Sequence, residues 1–113
     1  MTPSDEIFKI LADAGIEEAH ESWYKLDIEI SHLIFQQMEE RPKDYSDDGY
    51  EVIEHVYRFD VFSKDNAQAE HMKKDVREAL EKHGFIWQST QYEYYSDIQY
   101  YHNTSKFIFE EGL

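Results

Sequence analysis

The stretch RFDVFSKDNAQAEHMKKDVREALEKHGF, residues 58–85, changes its hydrophobic period halfway along. Before Ser63 the apolar residues alternate, as a strand half-buried on a sheet requires. After Asp65 they recur every three or four positions, as one face of a helix requires. Ser63 or Asp65 can cap the helix N-terminus, and Ala69, Met72, Val76, Ala79 and Leu80 form its apolar stripe. Gly84 followed by Phe85 predicts a left-handed stop with the ring folded back on the last turn. A helix of about 18 residues spans about 27 Å, enough to lie along a sheet. The chain must therefore combine a strand, a tight polar corner and a covering helix.

The rest of the sequence supplies more strands. Thr2, Pro3 and the acids Asp5 and Glu6 predict a helix start, continued by Ile7, Ile10, Leu11 and Ala14 and stopped at Gly15. A short strand is predicted at 19–24, followed by a loop. HLIFQQMEER reads as a strand of roughly ten residues, with Leu33 and Phe35 on one face and Ile34, Gln36 and Met38 on the other. Pro42 is expected to end it, leaving residues 41–49, RPKDYSDDG, as a long exposed hairpin loop. EVIEHVYRFDVFS places Ile53, His55, Tyr57, Phe59 and Val61 on one face and a mixed set on the other. FIWQSTQYEYY and QYYHNTSKFIF close the chain around a turn at Ser96 and Asp97. The expected fold is one α+β domain over residues 1–113. It has a mainly antiparallel four- to five-stranded sheet, a long helix on one face and a short N-terminal helix. Phe59, Val61, Met72, Val76, Leu80, Phe107 and Phe109 form its expected core scaffold.

Charge narrows the function. The net charge of -14 on 113 residues repels phosphate backbones and anionic headgroups, which disfavours sequence-specific nucleic-acid and membrane binding. No cysteine is present, so neither disulfides nor thiolate metal sites arise, and a reducing cytoplasm fits. The N-terminus lacks a basic segment followed by an apolar block, so the expectation is a soluble, unprocessed chain.

Catalytic signatures are missing. His20, His32, His55, His71, His83 and His102 fall on different predicted elements without ligand spacing, so no metal or other cofactor is expected. There is no nucleophile elbow, and the four glycines sit at predicted element ends or the terminus rather than in a phosphate loop. The expectation is a non-enzyme. The aromatic clusters YEYY and QYYHN resemble stacking platforms for single-stranded nucleic acid, but only Lys106 lies near them in sequence. Cross-strand pairs stiffening a hairpin, with an interface role, explain them better. The predicted loop contributes the candidate contact residues, Arg41, Lys43, Asp44, Tyr45, Asp47 and Asp48.

Element order, and HVYRFDVFSKDNAQAEHMKKDVREALEKHGF with YYHNTSKFIF above all, resembles the tail terminator or tail completion proteins of long-tailed bacteriophages. Phe59, Val61, Ala67, Ala69, Glu70, Val76, Arg77, Ala79, Leu80, Phe107 and Phe109 are the matching positions, and ESWY and HLIFQQ look like the family's early strands. KLDIEIS departs from the pattern, lacking the proline often found before the second strand.

The resemblance implies a structural virion protein, assembled in the host cytoplasm, that forms a homohexameric ring at the head-proximal end of the tail. Its partners would be further copies of itself, the tail tube protein and the head connector or neck protein. DNA would pass through the ring without being bound specifically. In that setting Asp44, Asp47 and Asp48 are expected to face a lumen or a neighbouring ring, where negative charge keeps the duplex from sticking. Two alternatives stand beside it: an acidic binding module that mimics DNA or inhibits a basic partner, and a neck or head completion protein.

Overall fold

The computed structural model describes residues 3–16, 18–21, 31–46, 49–96 and 99–112. The elements are α1 (Pro3–Asp13), β1 (Ala19–Glu21), β2 (His32–Ser46), β3 (Gly49–Ser63), α2 (Asn66–Lys82), β4 (Ile86–Tyr95) and β5 (Tyr100–Gly112). The strands form one sheet in the order β1-β2-β3-β5-β4. β1 and β2 run parallel and the other three pairs are antiparallel, so the sheet is mixed. β5 therefore lies between β3 and β4, the strands that α2 connects, which makes a split βαβ unit.

The corner between β3 and α2 satisfies itself. Asp65 caps the helix by accepting from the Ala67 amide at 2.9 Å, and its own amide donates to Ser63 Oγ at 3.1 Å. At the other end Gly84 adopts φ 89°, the Phe85 amide donates to the Leu80 carbonyl at 3.0 Å, and Phe85 folds into the core. The helix spans 17 residues, and Ala69, Val76 and Leu80 are buried, with Met72 and Ala79 packed beside them.

Both helices contribute to one apolar layer. Ile7, Ile10 and Leu11 from α1 meet Leu33 and Phe35 of β2, Tyr57, Phe59 and Val61 of β3, and Phe107 of β5. Phe35, Phe59 and Phe107 form a contiguous ring array, with centroids 5.7 and 5.5 Å apart along it. All the predicted scaffold residues join this layer, Met72 and Phe109 as partly buried members. Buried Asn103 ties β5 to the helix through a 3.3 Å bond from Nδ2 to the Ala69 carbonyl.

The strands depart from expectation at the hairpin. β2 runs through Pro42 to Ser46, and pairs such as Pro42↔Ile53, Lys43↔Val52 and Ser46↔Gly49 replace the predicted loop at 41–49. Among the described residues β1 pairs with β2 only opposite Leu33, Ile34 and Phe35, so no described strand borders Pro42 on its outer side, where proline is tolerated. A bulge between Gln37 and Glu39 precedes this stretch. A strand of 15 residues at about 3.3 Å each is about 50 Å long. That length accounts for the long axis of the 53 × 26 × 21 Å molecule. The sheet expected to be mainly antiparallel has three antiparallel pairs and, in β1–β2, a parallel one that makes it mixed. Of the predicted strand at 19–24, residues 22–24 lie outside the described part, as do Thr2 and Asp97.

Two substitutions separate packing from backbone strain. Phe107→Ala removes a fully buried ring and should cost about 3–5 kcal/mol. Gly84→Ala meets nothing within 4 Å, so only its positive φ acts, and it should cost about 1–2 kcal/mol. Urea unfolding of both variants checks this ranking; an equal loss would contradict it.

Candidate functional site

The sheet has two edges of unequal character. Along the part of β2 that no other described strand borders stand the bulge, exposed Glu39, Glu40 and Arg41, and Pro42, all of which discourage an added strand. β4 has no proline and no lysine and bears a single charge, Glu93, and no described strand covers its outer side. Of the six large hydrophobic residues that are exposed among the described residues, four are on it: Ile86, Trp87, Tyr92 and Tyr94. Half-exposed aromatics of about 150–250 Å² each make a patch of the size that marks an interaction surface.

The fold also brings cations to this edge. Arg77 lies over the Trp87 ring at 4.9 Å, and Lys73 over the Tyr92 ring at 4.8 Å. Lys73 Nζ donates to Glu70 at 2.6 Å and to the Tyr92 hydroxyl. Burial works against the Lys73 charge, but Glu70 and Tyr92 outweigh it and raise its pKa. Sequence proximity indicated only Lys106; α2 supplies the others. With Lys73 paired to Glu70 and Arg77 3.8 Å from Glu81, they brace the aromatic strand rather than form an open track for phosphates.

The predicted contact residues are partly engaged within the chain. Arg41 Nε donates to Glu54 at 2.7 Å, which raises the guanidinium pKa, and Lys43 Nζ donates to Glu110 at 2.7 Å. These two bonds staple β2 to β3 and β5. The side chains of Asp44 and Tyr45, and Asp47 and Asp48 altogether, lie outside the described part, so the expected acidic tip is not placed.

The second face of the sheet carries a feature that sequence reading missed. His32, Phe62 and His102 are neighbours on β2, β3 and β5, and their rings stack with Tyr95 of β4 across the four strands. The Phe62 and His102 rings are stacked nearly parallel, with centroids 4.3 Å apart and 3° between their planes. Beneath it, buried Asp60 accepts from His102 Nε2 at 2.7 Å, Thr104 Oγ1 at 2.7 Å and Arg58 Nε at 2.9 Å. No residue spacing announces this network, because it depends on the β3–β5 register. His102 Nδ1 has no hydrogen-bond partner among the described residues, and the Glu93 carboxylate is 3.9 Å away. The arrangement is an Asp–His pair with the Thr104 hydroxyl beside it, 3.1 Å from His102 Nε2 and bonded to the same Asp60 oxygen. Among the described residues no group of three or more potential ligands is placed to hold a metal ion.

No protein-family model matches the chain, and no curated protein matches it.

Burial pushes the Asp60 carboxyl up, but hydrogen bonds from His102 and Thr104 and the charges of Arg58 and His102 outweigh it, so the group sits below its ordinary range. A lowered folded-state pKa means that its stabilisation is fully present above the unfolded value, about 3.9 for aspartate. It drains away as pH falls from there through the folded value. Asp60→Asn should therefore flatten the loss of stability below about pH 4, measured by urea unfolding across pH. An unchanged acid limb would refute this role.

Proposed function

We propose that this protein is a non-enzymatic assembly subunit, a tail terminator of a long-tailed phage that caps the tail tube as a ring and joins it to the head connector. The observation that carries the reading is the unguarded aromatic edge of β4, set against a guarded edge on the opposite side of the sheet. An exposed strand of this kind calls for a covering neighbour. When it meets a different surface on the next copy the contact is heterologous, and a heterologous contact whose rotation closes produces a ring.

The family resemblance rests on the β3–α2 segment and the closing strand, and the α+β order of elements supports it. The elongated β2–β3 hairpin gives the subunit reach towards neighbours on the ring, the tube and the connector. Net charge of -14 suits a conduit through which DNA passes without adhering. Asp44, Asp47 and Asp48 are the acids assigned to the lumen or to a neighbouring ring. The ring is assigned six copies, formed where the tube ends and present in the virion at the head–tail junction.

Electron microscopy of tails made with and without the protein tests the function: tails of unregulated length are expected in its absence, and normal tails would end the reading. The double substitution of Tyr92→Lys and Tyr94→Lys tests the edge. Both side chains are at least half exposed, so the fold should survive by circular dichroism while capping is lost. A folded double variant that caps tails normally would remove β4 from the docking surface.

A further inference from the structure

A cavity of about 610 Å³ opens between α1, the segment that follows α2, the middle of β3 and the end of β5. Its floor is aromatic. Tyr57 and Phe85 have ring centroids 6.1 Å apart, and Phe85 and Phe109 5.0 Å apart, so the three rings form a continuous wall. Its rim is acidic, with Glu6 and Asp13 from α1 and Glu111 from β5. The basic side chains there are Lys9 and His83. Glu111 is 3.0 Å from His55 Nε2, and its neighbour Glu110 accepts from Lys43 Nζ at 2.7 Å, whereas Glu6 and Asp13 form no ion pair among the described residues and are the rim acids left to meet a ligand.

Tyr57 adds a polar point to the floor. Its side chain is 1% exposed, yet its hydroxyl has no hydrogen-bond partner among the described residues. Burial and the charges of Glu21, Glu40 and Glu111 hold this phenol in its neutral form. Burial opposes any charge there, while the three carboxylates favour a cation.

We propose that this cavity binds an organic cation, an alkylammonium or guanidinium group, between the aromatic floor and the carboxylate rim. Ring faces attract a desolvated cation through their quadrupoles, the carboxylates supply the counter-charge, and the Tyr57 hydroxyl oxygen is free to accept one of its N–H bonds. The volume lies in the range of small-molecule sites and exceeds what one side-chain head group needs, so part of the aliphatic stem enters as well. An anion would meet the rim acids, and a neutral apolar group would leave them without a partner. This assignment does not depend on the tail-terminator reading.

Two sources share the chemistry, a free polyamine-like amine and a Lys or Arg side chain of a basic partner. Calorimetric titration of the full chain with agmatine, and separately with a blocked Gly-Arg-Gly peptide, distinguishes them. Saturable one-to-one binding of either supports the site; binding of the peptide alone assigns it to a protein partner, and of agmatine alone to a free amine. The combined substitution of Asp13→Asn and Glu111→Gln should weaken binding about tenfold or more, and Tyr57→Phe by a smaller factor. Glu39→Gln, on the remote hairpin, is the control for general attraction to an acidic surface. Absence of saturable binding to both probes, or equal weakening by the control, overturns the proposal.

Discussion

The contact between the apolar stripe of α2 and the central strands β3 and β5 is the interaction on which the rest depends. Ala69, Val76 and Leu80 lie against a layer built from Phe59, Val61 and Phe107, and this layer holds β5 between the two strands that the helix joins. Without it β4 would have no reason to sit beyond β5, since its side chains are mostly exposed and contribute little burial of their own. The capped corner at Asp65 and the Gly84–Phe85 stop fix the length of the helix, and the helix in turn sets where β4 begins. Arg77 and Lys73 then reach Trp87 and Tyr92.

The two faces of the sheet are stabilised by different physics. The helix face is a conventional apolar layer. The other face buries Ile34, Phe62 and Tyr100 together with His32, Asp60 and His102, using stacking and charge-assisted hydrogen bonds where a second helical layer is absent among the described residues. A network of this kind fixes the register of β3 against β5, because Asp60, His102 and Thr104 meet only when the strands are aligned as they are. Register matters here more than usual: a one-residue slip would turn the ring array of the core to the outside.

Much of this was legible in the sequence because it depends on local pattern. The switch of period at 58–85, the stripe of α2 and its end at Gly84 follow from spacing and backbone chemistry, and the structure has them at those residues. Pro42 misled because a proline usually stops a strand, and only the sheet order shows that no described strand lies on its outer side. The parallel β1–β2 pair is a property of topology, which side-chain alternation does not encode. The Asp60–His102 network and the Tyr57 cavity join residues 42 and more positions apart or on four elements, so spacing carries no signal for either. The β4 edge left a trace, an aromatic strand with one charge, whose meaning appeared only once it was the outermost strand.

Proline at position 42 has a consequence beyond its own strand. Polymer chemists distinguish monomers by the number of reactive ends, and for main-chain pairing the described residues of this chain offer one. A strand added at β4 finds no equivalent acceptor on the far side of the molecule, where bulge, charges and proline stand. Sheet-to-sheet growth through the described strands therefore halts after a single step, and fibre formation through the backbone is disfavoured.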